Sequence, residues 1–371
     1  MSKKGLLVIY SPQHLVQFLW YYCTFSNNKR WDALCLPNCF GAQNNKNFCE
    51  KTGIFENIYY DEKYFLEASA KERFKTFGEM FGAFCIGKKQ QYIHRFLSQY
   101  VDLTCYDEIN VLSDYGVVSG MFVGLSREKK VVIMEDGNSD YKEKTYKNIY
   151  RKSPSIINTE GFIMSLLGYA NVACFYPLKS TRYCDKYSSR PNLMKYNHYK
   201  RNNQLYDFSN TDTELYDTLI KRTYETNTES DLAKADAVLF TTPLSSFTDT
   251  PEKYIALIND YVIKNFNSIA LKKHPRDKGI YDFCETKCFS IPQNIPSEVF
   301  ISSVSNKKLV FVEPSSVLLN IPPNSNVECF YFRELHKDSI EGTTYEKYPD
   351  FEHLKKQMET FGLENYSIIE L

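Results

Sequence analysis

Apolar positions along this chain follow two periods in turn, and the alternation runs through two successive series. Leu6-Leu7-Val8-Ile9-Tyr10 is a short unbroken apolar run, the pattern of a strand buried on both faces. Ser11 then reads as a helix cap with Pro12 at the first helical position. Leu15, Phe18, Leu19 and Tyr22 keep the i, i+3, i+4, i+7 spacing of a core-facing stripe. Further strands are expected over 31–36, 54–60, 109–112 and 130–134, with mainly helical chain over 63–100 and a helix over about 114–125. Strands alternating with helices at this spacing predict an α/β fold with a mostly parallel, doubly wound sheet.

Between 177 and 212 both periods fade. That run holds Lys179, Arg182, Lys186, Arg190, Lys195, Lys200 and Arg201 among several tyrosines. It reads as a solvated linker or hinge, or as a basic arm facing an anionic membrane or an acidic polymer. A helix over about 213–222 then opens a second series. Its strands are expected at 237–240, 268–271, 308–312 and 327–332, with a helix carrying Tyr254, Leu257, Ile258 and Tyr261 behind an Asp249/Glu252 capping box. A short helix begins near Ser297. The chain closes on an amphipathic helix over 350–361, lined by Phe351, Leu354, Met358 and Phe361 and stopped by Gly362. The expected organisation is one Rossmann-like domain over 1–210, a second over 211–349, and a helical segment over 350–371 packing back toward the first domain.

Bulk properties narrow the partners. Lys+Arg and Asp+Glu both number 45, so the formal net charge is +0, which argues against a dedicated nucleic-acid binder. Any anion site must be local. The 11 cysteines include no Cys-x-x-Cys, which suits reduced thiols in a cytoplasmic protein better than a disulfide frame or zinc site. The N-terminus lacks the apolar stretch of a signal peptide. Residues 162–178 carry no charge but are interrupted by Ser165, Asn171 and Pro177, so a buried or interfacial segment is expected, not a membrane span.

Four turns carry candidate chemistry. Leu271-Lys272-Lys273-His274-Pro275-Arg276-Asp277 ends a strand in a cluster of cations, a histidine able to donate a proton near neutral pH, and a proline that stops the strand. Glu135-Asp136-Gly137 sets two carboxylates at a strand end beside a glycine that lets backbone approach closely; a carboxylate there can take a proton from an attacking hydroxyl. Ser315-Ser316 offers two hydroxyls and free helix N–H groups to a phosphate. Glu298 stands at the start of a short helix, where it can accept two hydrogen bonds from a ribose diol or simply offset the helix dipole. Gln13 and His14, at the start of the first helix, are weaker candidates for contact with donor or acceptor.

The order of these turns is the specific feature. An acidic-acidic-glycine turn in the first domain followed by His-Pro, Pro-x-Glu and Ser-Ser in the second resembles the bacterial lipooligosaccharide sialyltransferases of glycosyltransferase family 52, with the capsule polysialyltransferases next. The resemblance implies a GT-B fold, two Rossmann-like domains facing a central cleft. It implies an inverting enzyme that moves sialic acid from CMP-sialic acid to a hydroxyl of a bacterial surface glycan. Glu135 would be the general base, with Asp136 and Gly137 beside it. His274 would be the general acid at the departing phosphate, Ser315 and Ser316 would hold that phosphate, Glu298 the ribose, and Lys273 and Pro275 would line the donor site. Glu135 stands where many members have Asp, and both acids occur at that position in the superfamily. No metal or other cofactor is implied, in keeping with the lack of an Asp-x-Asp turn at a strand end. The expected location is cytoplasmic, with peripheral membrane contact through 179–201. The residues alone leave open a glucosyl or N-acetylhexosaminyl transferase, a teichoic-acid-type glycerophosphotransferase, and a non-enzymatic carbohydrate-binding scaffold.

Overall fold

The computed structural model describes residues 4–26, 28–37, 41–62, 70–111, 117–134, 184–188, 203–205, 211–224, 232–304, 307–321, 324–335 and 350–371. The chain divides into two compact units, Met1–Tyr224 and Glu225–Leu371. Each is built on a parallel sheet, as an α/β fold of two Rossmann-like halves requires.

The first sheet contains β1 (Lys4–Ile9), β2 (Arg30–Cys35), β3 (Phe55–Tyr60), β4 (Glu108–Val111), β5 (Lys130–Ile133), β6 (Cys184–Ser188) and β7 (Asn203–Leu205), in the order β3-β2-β1-β4-β5-β6-β7. The second contains β8 (Ala237–Phe240), β9 (Ser268–Lys272), β10 (Lys287–Ile291), β11 (Lys308–Phe311), β12 (Asn326–Tyr331) and β13 (Tyr366–Glu370), in the order β10-β9-β8-β11-β12-β13. Both start as 3-2-1-4-5-6, the doubly wound order whose direction reverses between the first and fourth strands. The switch points are therefore β1/β4 and β8/β11. Because every pairing is parallel, the carboxyl ends of the strands, which lead into the βα turns, lie along one edge of each sheet.

Burial follows from that layering. β9 is buried at every residue, and β1, β2 and β12 at all but the first, because helices cover both faces. The edge strands β3 and β13 are only partly covered. In the first unit Leu6, Val8, Ile109, Val111, Val131 and Ile133 form one core face with Tyr92, Ile93, Met121 and Phe122; in the second, Leu239, Ile269, Leu271, Val310 and Phe330 pack under Tyr254, Ile258 and Val262.

Helix α1 (Pro12–Tyr21) starts as expected, with Ser11 at the cap and Pro12 at N1, though the Ser11 side chain makes no cap bond. Helices α2 (Gly41–Thr52), α3 (Ala70–Cys85), α4 (Lys89–Leu97) and α5 (Val117–Val123) follow. Helix α6 (Thr213–Tyr224), expected to open the second domain, belongs to the first unit. Tyr216 stacks on Trp20 at 3.9 Å, the Tyr224 hydroxyl donates to the Pro12 carbonyl at 2.8 Å, and the Tyr224 ring meets Phe48. Helix α7 (Pro251–Asn265) is not closed by the Asp249/Glu252 box. Pro251, with fixed φ and no N–H, takes N1 and moves the cap to Thr250, which makes no side-chain cap bond. Helix α8 (Phe351–Thr360) is capped by Asp350, whose carboxylate accepts the His353 N–H at 2.7 Å, and ends at Gly362 with φ +70°. Beyond it the chain is not helical: β13 pairs in parallel with β12 and extends the second sheet. Among the described residues no helix is long and apolar enough to cross a membrane. Residues 162–178 lie outside the described residues.

Candidate active site

The second sheet gathers its chemistry at one edge. Reading across it, the loop after β10 supplies Gln293 and then Glu298; β9 ends in Lys272 and His274; β8 ends in Thr241 and Thr242; β11 ends in Glu313, Pro314 and Ser315. These four strands are consecutive neighbours, and β8 and β11 flank the switch point, where open α/β sheets hold their ligands. Neighbouring strands lie about 4.8 Å apart, so β9 and β11 stand roughly 10 Å apart with Thr241 and Thr242 between them.

The His274 turn is held from three sides. The His274 N–H donates to Thr241 Oγ1 at 3.2 Å, and Thr241 Oγ1 donates in turn to the buried Asp277 carboxylate. Asp277 also accepts the Gly279 N–H at 2.8 Å and the Tyr281 hydroxyl at 3.0 Å. A Cβ at position 279 would lie 2.9 Å from Ile255 Cδ1 and 3.0 Å from Asp277 Oδ1, so a larger residue there would crowd the carboxylate that holds the turn. Gln293 Nε2 donates to the carbonyls of His274 and Asp277, both at 3.0 Å. Lys272, 5% exposed, donates to the carbonyls of Lys273 at 3.2 Å and Gln293 at 3.1 Å. The loops after β9 and β10 are thus tied together by an ammonium and an amide.

The imidazole itself is oriented. His274 Nδ1 accepts the Arg276 N–H at 3.1 Å, which assigns the ring proton to Nε2. Burial, then the charges of Arg276 and Lys272, push its pKa down to about 4, with Asp277 opposing. In the free protein at pH 7 this side chain is therefore a neutral Nε2–H donor in a cationic setting. Burial also brings Lys272 down to about 8, against the pull of the Glu298 carboxylate. Glu298, on a one-turn 3-10 segment after Pro296 where a short helix was expected, thus shares the electrostatic neighbourhood of His274.

On the other side of β8, Thr242 Oγ1 donates to Glu313 Oε2 at 3.0 Å. Ser315 caps a 3-10 turn, Ser316–Leu319, where its Oγ accepts the Val317 N–H at 3.3 Å and still carries a hydroxyl hydrogen as donor. Hydrogen bonds thus join β8 to both its neighbours: Thr242 to Glu313 on one side and Thr241 to the His274 turn on the other.

The expected site residues divide as follows. His274, Pro275, Lys273, Glu298, Ser315 and Ser316 all stand on the one edge of the second sheet. Gln13 and His14 begin α1 in the first unit, where His14 Nδ1 accepts the Tyr10 N–H at 3.1 Å and burial pushes its pKa down to about 3. Glu135, Asp136 and Gly137 lie outside the described residues; β5, which precedes them, ends beside β4 next to the first switch point. Sequence reasoning did not single out Thr241, Asp277, Gln293 or Glu313 as site residues. Thr241 and Glu313 were legible as strand ends, but only the strand order sets them either side of the His274 turn.

Glycosyltransferase family 52 matches the chain over residues 50–336. The chain belongs to that family. It is therefore a glycosyltransferase, and the matched range includes the whole edge just described. A search of curated protein sequences finds no match. Among solved structures, UDP-GlcNAc 2-epimerase from Methanocaldococcus jannaschii aligns with a TM-score of 0.50 and 11% identity, over 99% of this chain and 89% of that one. The glycosyltransferase SnogD from Streptomyces nogalater aligns with a TM-score of 0.46 and 9% identity, over 99% and 97%. The first likeness supports the GT-B type of fold seen in this family 52 chain.

Proposed function

We propose that this family 52 enzyme is an inverting, metal-independent sialyltransferase that moves sialic acid from CMP-sialic acid to a hydroxyl of a bacterial surface glycan, lipooligosaccharide or capsular. The observation that carries the reading is the His274 turn: an imidazole held as the Nε2–H tautomer, beside Lys272 and Arg276, on the sheet edge that also bears Ser315. That edge suits a leaving group that departs as an anionic phosphate monoester.

In this reading Glu135 takes the proton of the acceptor hydroxyl as its oxygen attacks the anomeric carbon. The bond from that carbon to the phosphate oxygen breaks, and CMP leaves with its electron pair. His274 Nε2–H, the hydroxyls of Ser315 and Ser316, and Lys273 receive the phosphate, while Glu298 accepts from the ribose hydroxyls. Attack from the face opposite the leaving group inverts the anomeric configuration. Positive charge for the leaving phosphate comes from Lys272, Arg276 and, once the anion raises its pKa, His274, so side chains do the work a divalent cation would otherwise do. Pro275 fixes the turn. Asp136 and Gly137 shape the acceptor side; Gln13 and His14 remain outside the reaction. The enzyme would work in the cytoplasm, with its basic 179–201 segment near the inner face of the membrane.

A donor screen tests the reading. Purified protein is incubated with CMP-sialic acid, UDP-glucose, UDP-N-acetylglucosamine and CDP-glycerol, and nucleotide release is followed. CMP-sialic acid alone should be turned over, and without added metal. Turnover of UDP-glucose only, or of CDP-glycerol only, would overturn it.

A further inference from the structure

Gln293 is fixed both at its backbone and at its side chain. It follows β10 in a tight turn, in which the Ile295 N–H reaches the Pro292 carbonyl at 3.2 Å and Ile295 is buried. The Gln293 carbonyl accepts the Lys272 ammonium at 3.1 Å. Its side-chain Nε2 donates to the carbonyls of His274 and Asp277, both at 3.0 Å. Carbonyl oxygens only accept, so they dictate which end of the amide faces them. Both Nε2 hydrogens are committed there, and the half-buried amide offers a ligand Oε1, which can accept and cannot donate. Tying the two loops together does not by itself call for a glutamine, because Lys272 already joins them with a side chain that only donates. What glutamine adds to that tie is an acceptor held in one direction.

Its place on the sheet edge points to the base of a nucleotide. Along β11-β8-β9-β10, Ser315 stands at one end, His274 farther in, and Gln293 and Glu298 at the other end. With the phosphate at Ser315 and His274 and the ribose at Glu298, the base lies beyond the ribose, toward the loop after β10. Cytosine carries an exocyclic amine, N4, whose hydrogens an acceptor can take. Uracil carries a carbonyl oxygen in that place, which would meet Oε1 lone pair to lone pair. To offer its ring N–H instead, uracil would have to shift while its ribose is held.

We propose that Gln293 selects a 4-aminopyrimidine nucleotide, its Oε1 accepting a hydrogen bond from the exocyclic amine of the donor's base. This rests on the proposed function, which takes the donor to be a cytidine nucleotide, and it adds the side chain that tells that base from uracil.

Full-length protein is titrated calorimetrically with CMP, with UMP, and with the deamino analogue of CMP that has hydrogen in place of the amine. The wild type should bind CMP about tenfold more tightly than the analogue, the scale of one hydrogen bond whose partner is left unpaired, and more tightly still than UMP. In Gln293→Met, which keeps the length and loses the amide, CMP and the analogue should bind within about twofold of each other. A crystal structure of the wild-type chain with CMP needs no variant, and in it N4 should donate to Gln293 Oε1. Should the variant bind no nucleotide, the wild-type comparison and that complex decide the matter. Equal binding of CMP and the analogue by the wild type, an undiminished preference in Gln293→Met, or an N4 that meets some other group in the complex would overturn the proposal. Each of these leaves transfer from CMP-sialic acid standing, since the donor screen reads that separately. Tighter binding of UMP than of CMP would overturn the proposed donor as well.

Discussion

The two sheets of this chain carry the same device in different surroundings. Each begins with the same strand order, and each has a histidine a few residues beyond an inner strand, with Nδ1 accepting a backbone N–H and Nε2 left as the protonated nitrogen. His14 takes its bond from Tyr10 and packs edge-on to that ring. His274 takes its bond from Arg276 and stands among Lys272, Arg276, Asp277 and Gln293. Burial alone lowers the pKa of His14, whereas neighbouring cations add to the effect at His274. The tautomer is thus set by local backbone geometry. What separates the two is the charge around the ring.

Substitution of both histidines is the sharpest way to break this comparison. His274→Ala should lower sialyl transfer on the order of a hundredfold or more, the scale of lost proton-donor chemistry, and Glu135→Gln should do the same from the base side. His14→Ala should cost about 1 kcal/mol of stability and leave kcat/KM within about threefold. An equal loss from His14→Ala would show that the first edge also does chemistry.

Next in size is Asp277→Ala. It removes the acceptor that holds Thr241, Tyr281 and Gly279, so the His274 turn loses its support. We expect kcat to fall about tenfold or more with the donor KM little changed, since the residue acts on the position of the imidazole and not on bound donor. Ser315→Ala should do the reverse: the donor KM rises about tenfold for a lost hydrogen bond to a charged group, with a smaller change in kcat.

The smallest and most diagnostic effect is on titration. With its folded pKa near 4 against an ordinary value of 6.5, free His274 is neutral at pH 7, and it gains a proton only as pH falls through that lower value. A bound phosphate favours the imidazolium, so addition of CMP should move the His274 midpoint upward in an NMR titration. The midpoint of His14, near 3, should not move. If both shifted alike, or neither did, the electrostatic difference between the two edges would not be what separates them.

Much of this fold is written in the sequence. Unbroken apolar runs such as Leu6–Tyr10 and the 3.6-residue stripe of Leu15, Phe18 and Leu19 are set by a chain segment's own burial needs, so they are legible without the fold. The order of the acidic, His-Pro, Pro-x-Glu and Ser-Ser turns is legible too, and the family it resembles is the one that matches over residues 50–336. Other features had no local signal. β10 and β13 are partly exposed edge strands whose pattern is weak, and each exists because a neighbouring strand supplies its hydrogen bonds. Helix α6 looks from its position like the start of a second domain, but Trp20 and Pro12, some two hundred residues upstream, hold it in the first unit.

The sequence by itself determined the α/β class, the two sheet-forming series, and the residue types that could meet a nucleotide sugar. Tertiary structure alone decided which strands became neighbours. That choice put Thr241 and Thr242 between His274 and Ser315, buried Lys272, and gave an otherwise ordinary histidine its low pKa. The physical reason is that strand order is a long-range property: hydrogen bonds between β8, β9 and β11 join residues tens of positions apart, and no local pattern records which partner each will take.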